Sequence, residues 1–301
     1  MFNNIVAAIT PSPACEPAAD KAMAFAQLFE SHLSFIYAIC HLEEGWGSLD
    51  CGVSLFEDMD NVKQAFYEHY REKLRGVDSY EINIVPGVPH TEILRLAYRK
   101  EANLIVMGPH TKDIDISHVK MREFAGSCLE RVSQKARCPV MIVSYSEPYG
   151  EQRFKNILVA TDFSSAARCA VSYACQLAEQ YGAALHLAHI MDLDLNYPWN
   201  LPSQRETCKY LDASKQSMES KYATFLKNLT HYSIEAWEGI PAIEILKLSR
   251  MKEADLIIMA HHSKEKDPER AFLGSTVVQV AMHSSCPTVS VNKSQCINYK
   301  I

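Results

Sequence analysis

A glycine followed by two hydroxyl residues, Gly274–Ser275–Thr276, forms the clearest candidate for binding chemistry in this sequence. These residues follow the apolar run Leu256–Met259, which predicts a buried strand, and they open a segment with apolar residues at helical spacing. Free backbone N–H groups and the positive end of the helix dipole attract anions at such a helix start. Ligands of open parallel α/β sheets bind outside the carboxyl ends of the strands. We therefore predict an anion-binding cleft here.

An internal repeat decides the predicted architecture. Asn4–Ala8 matches Asn156–Ala160 at an offset of 152 residues, and further blocks keep the same offset. Gly126–Ser127 matches Gly274–Ser275 at an offset of 148, because the first copy carries four extra residues in the preceding loop. We predict two copies of one domain, over residues 1–145 and 154–292, joined by the polar linker Ser144–Arg153.

Strands and helices are predicted to alternate within each copy. The predicted strands of copy one are Asn4–Ile9, Leu33–Cys40, Glu81–Val85, Leu104–Met107 and Val140–Val143, and those of copy two lie near 157–160, 185–190, 233–237, 256–259 and 288–291. Helices are predicted after Pro17, over about 58–75, from Pro89, and over Gly126–Lys135. In the segment 58–75 the spacing places Val62, Ala65, Phe66 and Leu74 on one apolar face. This alternation predicts right-handed crossovers and a parallel sheet with helices on both faces.

Composition excludes several classes of protein. The net charge of −6 and the lack of a long basic run argue against nucleic-acid binding. The N-terminus lacks the features of a signal peptide and no apolar segment approaches a membrane span, so we expect a cytoplasmic protein with no membrane partner. In that compartment the ten cysteines are expected to be reduced. Cys128 lies near a predicted helix start, where a thiol pKa can fall, but burial would cancel that effect.

Three further segments carry a resemblance to a known family. They are Lys155–Ser164, Asp255–Met259, and Phe272–Val280 followed by Cys286–Pro287 and Val289–Val291. The sequence resembles the universal stress protein family in its tandem two-domain form, over nearly the whole chain. The resemblance implies an α/β fold in which each copy has a five-stranded parallel sheet of order 3-2-1-4-5, of the adenine nucleotide alpha hydrolase-like kind.

The resemblance also implies that the domains associate through their last strands. Such pairing would cover the apolar edge strands Val140–Val143 and Thr288–Val291. We therefore expect a pseudo-dimer of the two domains within the chain. A homodimer and protein partners of unknown identity remain open.

Nucleotide-binding members of the family carry an acid after the first strand and a phosphate loop of the form G-x2-G-x9-G-[ST]. Copy two keeps the acid as Asp162 and the closing Gly274–Ser275, so its nucleotide motif is partly retained. It has Ala260 and Ser263 in place of the first two glycines, and ten residues rather than nine before Gly274. Ala or Ser at such a position adds a Cβ that can clash with a phosphate.

Copy one departs further from the motif. It keeps Gly108 and Gly126–Ser127, but it has Thr111 in place of the second glycine and Thr10 in place of the acid. We therefore predict that its motif is degenerate and that any working site lies in copy two.

The resemblance assigns a role to most of the candidate residues. Asp162 contacts the ribose or the adenine, Ala160 and Ile190 line the base pocket, and Ser263 with the Gly274 segment holds phosphates. The candidate cofactor-binding residues are Ala160, Thr161, Asp162, Ile190, Met259, Ala260, Ser263, Gly274, Ser275 and Thr276. The implied cofactor is ATP or AMP with Mg²⁺, and no catalytic residue or protein metal ligand is assigned.

Three functions stay open at this point. The chain either binds an adenine nucleotide in copy two, acts as an interaction module through its dimer surface, or hydrolyses ATP slowly. His186 and His189 lie three apart on a predicted strand, so they point to opposite faces and cannot readily share a metal. The loop Asp192–Ser203 is either a lid over the cleft or a surface connection.

Overall fold

The structure is a computed structural model that describes residues 2–10, 15–39, 52–109, 127–145, 154–192, 202–261 and 274–292. The chain divides into two compact units, Met1–Pro148 and Tyr149–Ile301. Each unit contains one copy of the repeat. Most of the linker Ser144–Arg153 and of the loop Asp192–Ser203 lies outside the described residues.

Strands and helices alternate in both copies. Copy one contains β1 (Asn4–Ala8), α1 (Glu16–Leu28), β2 (His32–Ile39), α2 (Gly52–Leu74), β3 (Tyr80–Pro86), α3 (Pro89–Arg99), β4 (Leu104–Met107), α4 (Ser127–Lys135) and β5 (Val140–Ile142). Copy two contains β6 (Asn156–Ala160), α5 (Ser165–Tyr181), β7 (Ala184–Met191), α6 (Gln204–Leu226), β8 (Tyr232–Glu238), α7 (Pro241–Met251), β9 (Leu256–Ala260), α8 (Ser275–His283) and β10 (Thr288–Val291).

The strand order confirms the predicted fold. Hydrogen-bonded neighbours run β3-β2-β1-β4-β5 in copy one and β8-β7-β6-β9-β10 in copy two, which is the order 3-2-1-4-5 in each. All of these pairs are parallel. The chain reverses its direction across the sheet after the third strand, so right-handed crossovers place the first two helices of each copy on one face and the last two on the other.

Each core is built from the first strand and the helix that follows it. Successive residues of β1 and β6 are buried, and successive residues point to opposite faces, so both strands are covered on both faces. The helices α1 and α5 are rich in buried alanine, which lets them lie close to the sheet. α5 begins at the side-chain cap of Ser164 and ends at Gly182, whose φ of 67° favours glycine.

Two details of the helices differ from the sequence-based expectation. α2 begins at Gly52, earlier than the predicted position near residue 58. Ala65 is exposed, although its spacing placed it on the apolar face of α2, and Tyr70 is fully buried instead. The reason is that Phe66, Tyr70 and Leu74 already fill the contact with the sheet.

Most cysteines in the described part of the chain are free thiols. The free cysteines of the described residues are Cys15, Cys128, Cys138, Cys175, Cys208 and Cys286. Burial raises the pKa of Cys128 to about 11, so its position at the start of α4 does not activate it. Cys169 is disulfide-bonded, so the expectation of reduced thiols throughout is wrong at that position.

Candidate functional site

The turn after β6 presents a carboxylate at the edge of the sheet. Asp162 is exposed, and its Oδ1 accepts a hydrogen bond of 3.0 Å from the backbone N–H of Ser164. Ser164 in turn caps α5 by accepting a hydrogen bond of 3.0 Å from the N–H of Ala167. This short connection holds the Asp162 carboxylate just beyond the carboxyl end of β6.

Thr161, the first residue after β6, is buried and forms hydrogen bonds with several groups around the turn. Its Oγ1 forms a hydrogen bond of 2.7 Å with the hydroxyl of Tyr222 on α6 and accepts one of 3.1 Å from the N–H of Phe163. Its carbonyl oxygen accepts a hydrogen bond of 2.8 Å from Nδ1 of His189 on β7. The Thr161 side chain therefore organises the turn from inside the protein.

Phe163 adopts a backbone conformation that is uncommon for a side-chain-bearing residue, with φ of 65°. Lys221 of α6 donates a hydrogen bond to the Phe163 carbonyl, and its amino group lies 5.5 Å from the centroid of the Phe163 ring. The other ring neighbour is His189, at a centroid distance of 4.5 Å. Together these contacts hold Phe163 in this backbone conformation and so fix the turn that carries Asp162.

A helix N-terminus lies at the same sheet edge, beside the next strand. The N–H of Gly274 donates a hydrogen bond of 3.0 Å to the carbonyl of His261, which directly follows β9. No side chain caps α8 at Gly274, and its first turn contains no acidic residue. Ser275 is exposed and Thr276 is partly exposed. The first N–H groups of α8 are thus suited to binding an anion.

Most of the predicted site residues meet at this edge. β7, β6 and β9 are adjacent, so the ends that carry Ile190, Ala160 with Asp162, and Met259 with Ala260 lie side by side. Ile190 is nearly buried, and it follows His189, whose side chain points to the opposite face. Ser263 lies outside the described residues. Thr161 belongs to the same edge, but its hydroxyl is engaged with Tyr222.

Comparison with known proteins identifies the family. A family model described as the universal stress protein family matches residues 1–144 and again residues 153–292. This chain is a tandem universal stress protein.

Similar proteins agree with this family and fold. Universal stress protein MJ0531 of Methanocaldococcus jannaschii is 29% identical over 150 residues, which is 48% of this chain and 85% of that protein. A universal stress protein from Archaeoglobus fulgidus has a TM-score of 0.68 at 18% identity and covers 96% of each chain. A crystal structure described as a putative universal stress protein, from Pseudomonas aeruginosa, has a TM-score of 0.60 at 17% identity, over 99% of this chain and 96% of that one.

The first universal stress protein domain lacks the exposed carboxylate. Thr10 stands where Asp162 stands in the second domain, and its Oγ1 lies 3.3 Å from Sγ of Cys15. The nearby acid, Glu16, is at the start of α1 and is already engaged. It accepts hydrogen bonds from His69 at 2.6 Å, from the Tyr70 hydroxyl at 2.9 Å and from Lys73 at 3.2 Å.

The sequence analysis missed two polar side chains that contact the turn after β6. The buried polar set of His189 and Tyr222 received no role, because His189 was assessed only as a metal ligand and Tyr222 lies far along the chain. A histidine at an inward-facing strand position beside an acidic turn is the sequence signal that could have drawn attention to His189.

Within the described residues, no group of three or more His, Cys, Asp or Glu side chains could hold a metal ion.

Burial and hydrogen bonding shift the pKa of the histidine at this edge. Burial lowers the pKa of His189, and the hydrogen bond with Thr161 and the charge of Asp162 oppose that shift without cancelling it. His189 is therefore neutral near pH 7.

The helices of the described part of the chain include none that is long and apolar enough to cross a membrane.

Proposed function

We propose that this universal stress protein binds an adenine nucleotide, ATP or AMP, in the cleft of its second domain. The supporting observation is that an exposed carboxylate, Asp162, and an uncapped helix N-terminus, at Gly274, flank the ends of two adjacent strands. Ribose hydroxyls are donors suited to the carboxylate, and phosphates are anions suited to the helix start.

The two charges also define an orientation. The Asp162 carboxylate repels phosphate, whereas the N-terminus of α8 attracts it. A nucleotide therefore binds with its sugar at Asp162 and its phosphates at Ser275 and Thr276. Ala160 and Ile190 are the apolar residues at the remaining part of the edge, and we assign them to the base.

The replaced glycine at Ala260 affects this proposal less than the motif alone suggests. Ala260 is the last residue of β9 and is not among the described residues with positive φ. The backbone there consequently does not need glycine for its conformation. What remains is the added Cβ, which limits how closely a phosphate approaches and is expected to weaken binding rather than abolish it. Mg²⁺, if bound, would be held chiefly by the phosphates and water.

The second candidate function is a stress-response interaction module that binds no nucleotide. It is supported by the first domain, where Thr10 replaces the acid and Glu16 is fully engaged. For that domain we propose no nucleotide site. Slow ATP hydrolysis, a cytoplasmic location, homodimerisation and pairing of the two domains through their last strands stay predictions.

Isothermal titration of the full chain with ATP and Mg²⁺ tests the proposal. We expect saturable binding of about one nucleotide per chain, weakened at least tenfold in Asp162→Ala, since a hydrogen bond to a charged group contributes about 1.5–3 kcal/mol. Thr10→Ala, at the matching position of the first domain, is the control and should leave the affinity unchanged. A flat titration at concentrations able to detect a dissociation constant of roughly 100 μM, or an Asp162→Ala variant that binds normally, would reject the proposal.

A further inference from the structure

A strip of positively charged side chains lies along the seam between α3 and α4 of the first domain. Arg131 and Lys135 of α4 are exposed, and so is Arg137, which follows the end of that helix. Two of these side chains reach α3. Nη1 of Arg131 lies 3.4 Å from Nε2 of His90, and the guanidinium carbon of Arg137 lies 4.6 Å from the centroid of the Tyr98 ring. We call these five residues the cationic strip.

The charges of the cationic strip are not balanced by salt bridges. Within the described residues, its two arginines and its lysine form no ion pair with an acid. The acid of α3, Glu92, accepts hydrogen bonds of 2.8 and 2.9 Å from Arg95, and the acid of α4, Glu130, is only partly exposed. The strip therefore presents positive charge to the surroundings of the protein.

Like charges repel one another within the cationic strip. Arg131 and Lys135 are four residues apart on α4, a spacing at which two positive charges destabilise a helix. Burial lowers the pKa of His90, and the charges of Arg131 and Lys135 lower it further, because a third positive charge between the two helices is unfavourable. Negative groups of a partner would relieve this repulsion.

The second domain lacks such a strip. The residues at the matching positions of the repeat are Ala242, Arg250, Gln279, His283 and Ser285. Only Arg250, which matches Tyr98, carries a permanent charge. The fold therefore does not need the cations of the strip to pack these two helices. They belong to the first domain, for which we propose no nucleotide site.

The length and the residue types of the cationic strip fit a short acidic segment of a protein. Tyr98 follows His90 by eight residues of α3, which corresponds to about 12 Å along the helix axis. An extended chain spans that length with about four residues. Tyrosine and arginine are enriched among the residues that dominate protein interfaces, and Tyr98 is 67% exposed. The net charge of −6 disfavours a nucleic acid, because a long polyanion would be repelled by the rest of the chain.

We propose that the cationic strip binds an acidic segment of a partner protein. Carboxylates of that segment would pair with the arginines and the lysine of α4, and its side chains would pack on Tyr98. This inference does not depend on nucleotide binding in the second domain, and it gives the first domain a binding role of its own.

Binding of a fluorescein-labelled hexaglutamate peptide to the full chain, followed by anisotropy, tests this assignment. Hexaglutamine is the uncharged probe of equal length. We expect only hexaglutamate to bind at about 50 mM salt, and its affinity should fall at least fivefold in Arg131→Gln/Lys135→Gln. The matched control, Lys63→Gln/Arg71→Gln, removes one lysine and one arginine from exposed positions of α2 and should leave the affinity unchanged.

Amide resonances of the full chain show where the peptide binds. Hexaglutamate should shift the amides of α3 and α4 and leave those of α7 and α8 in place. The proposal is wrong if hexaglutamate does not bind, if the affinity is unchanged in Arg131→Gln/Lys135→Gln, or if the shifts lie elsewhere. A ten-residue thymidine oligonucleotide that binds the strip more tightly than hexaglutamate would also overturn it and would assign the surface to nucleic acid.

Discussion

The two domains place the same tyrosine in the same part of the fold and give it different partners. Tyr222 of the second domain and Tyr70 of the first are matched by the repeat, and both are fully buried. The Tyr222 hydroxyl bonds to Thr161 in the turn after the first strand, whereas the Tyr70 hydroxyl donates to Glu16 on the following helix. A repeated scaffold can thus keep a buried phenol while moving its partner from a turn to a helix.

The difference in the tyrosine's hydrogen-bond partner determines which acid is available to a ligand in each domain. In the first domain the carboxylate of Glu16 accepts hydrogen bonds from three side chains and is part of the packing between α1 and α2. In the second domain Thr161 satisfies the tyrosine, and the acid, Asp162, sits one residue further along in an exposed position. Asp162 accepts a hydrogen bond from the Ser164 N–H on one oxygen, whereas Glu16 accepts from three side chains, so Asp162 keeps more capacity to bind a ligand.

The largest expected effect comes from removing the threonine hydroxyl. Thr161→Val keeps the shape of the side chain but leaves the Tyr222 hydroxyl and the Phe163 N–H without their partner. We expect the second domain to lose about 1–3 kcal/mol of unfolding free energy. Amide hydrogen exchange on the full chain measures this in β6 and β7, with the amides of the first domain as an internal reference.

Thr161→Ser is the matched control, because it retains the hydroxyl and should retain most of the protection. Equal protection in Thr161→Val and the wild type would mean that the buried hydroxyls contribute nothing net. The turn would then be held by its backbone and by Phe163 alone.

The matching change in the first domain is expected to have a smaller effect. Glu16→Ala removes the acceptor of the Tyr70 hydroxyl and the ion pair with Lys73, which is partly exposed. We expect a loss of about 1 kcal/mol in the protection of β1 and α2. Glu16→Gln keeps an acceptor for the Tyr70 hydroxyl and should recover part of the protection that Glu16→Ala loses. A loss as large as that of Thr161→Val would mean that both tyrosine partners contribute equally to stability.

The fold was predictable from local patterns, and the polar contacts of the site were not. The alternation of strands and helices predicted a parallel sheet covered by helices in each copy, and the strand order 3-2-1-4-5 followed from the resemblance to the universal stress protein family. The partnership of Thr161 with Tyr222 joins residues 61 apart in sequence, and no local spacing encodes it. The same limit explains Ala65, whose helical spacing was right but whose neighbours Phe66 and Tyr70 already filled the contact.

Residues predicted from the family motif came together because the motif is tied to strand ends. Ala160 and Ala260 are the last residues of β6 and β9, and Ile190 is the last but one of β7, so strand order alone places them at one edge. The importance of Ala260 could not be judged that way. Whether a lost glycine matters depends on φ and on how closely a ligand approaches the backbone, and the φ of Ala260, an ordinary strand residue, does not require glycine.

The smallest expected effect is a difference in how the two domains respond to acid. Burial lowers the pKa of His189 and of His186, so folding stabilises their neutral forms relative to the unfolded chain. The stability that they contribute is present above the ordinary histidine pKa of about 6.5 and is lost as the pH falls through the lower folded value. Part of the stability of the second domain should therefore disappear on mild acidification.

Carboxylates with lowered pKa values lose their contribution to stability at a lower pH, at Glu235 in the second domain as well as in the first domain. Hydrogen bonds to Lys100, Asn83 and Ser34 outweigh the effect of burial and lower the pKa of Glu81 to about 2. Burial acts against Glu16 as well, but its hydrogen bonds bring its pKa below the ordinary value. The stability from these groups is lost only as the pH falls below about 4.5. His90 is shifted in the same direction as His189 but is more exposed, so its effect is smaller.

Hydrogen exchange between pH 7 and pH 5, corrected for intrinsic exchange rates, separates the two domains. Protection of β6 and β7 should fall relative to that of β1 and β2, and His189→Gln should reduce the difference because an amide does not titrate in this range. An equal fall in both domains would show that the buried histidines of the second domain do not set its acid response. A difference that persists in His189→Gln would assign the response to His186, whose Nδ1 bonds to Ser233 at 2.8 Å.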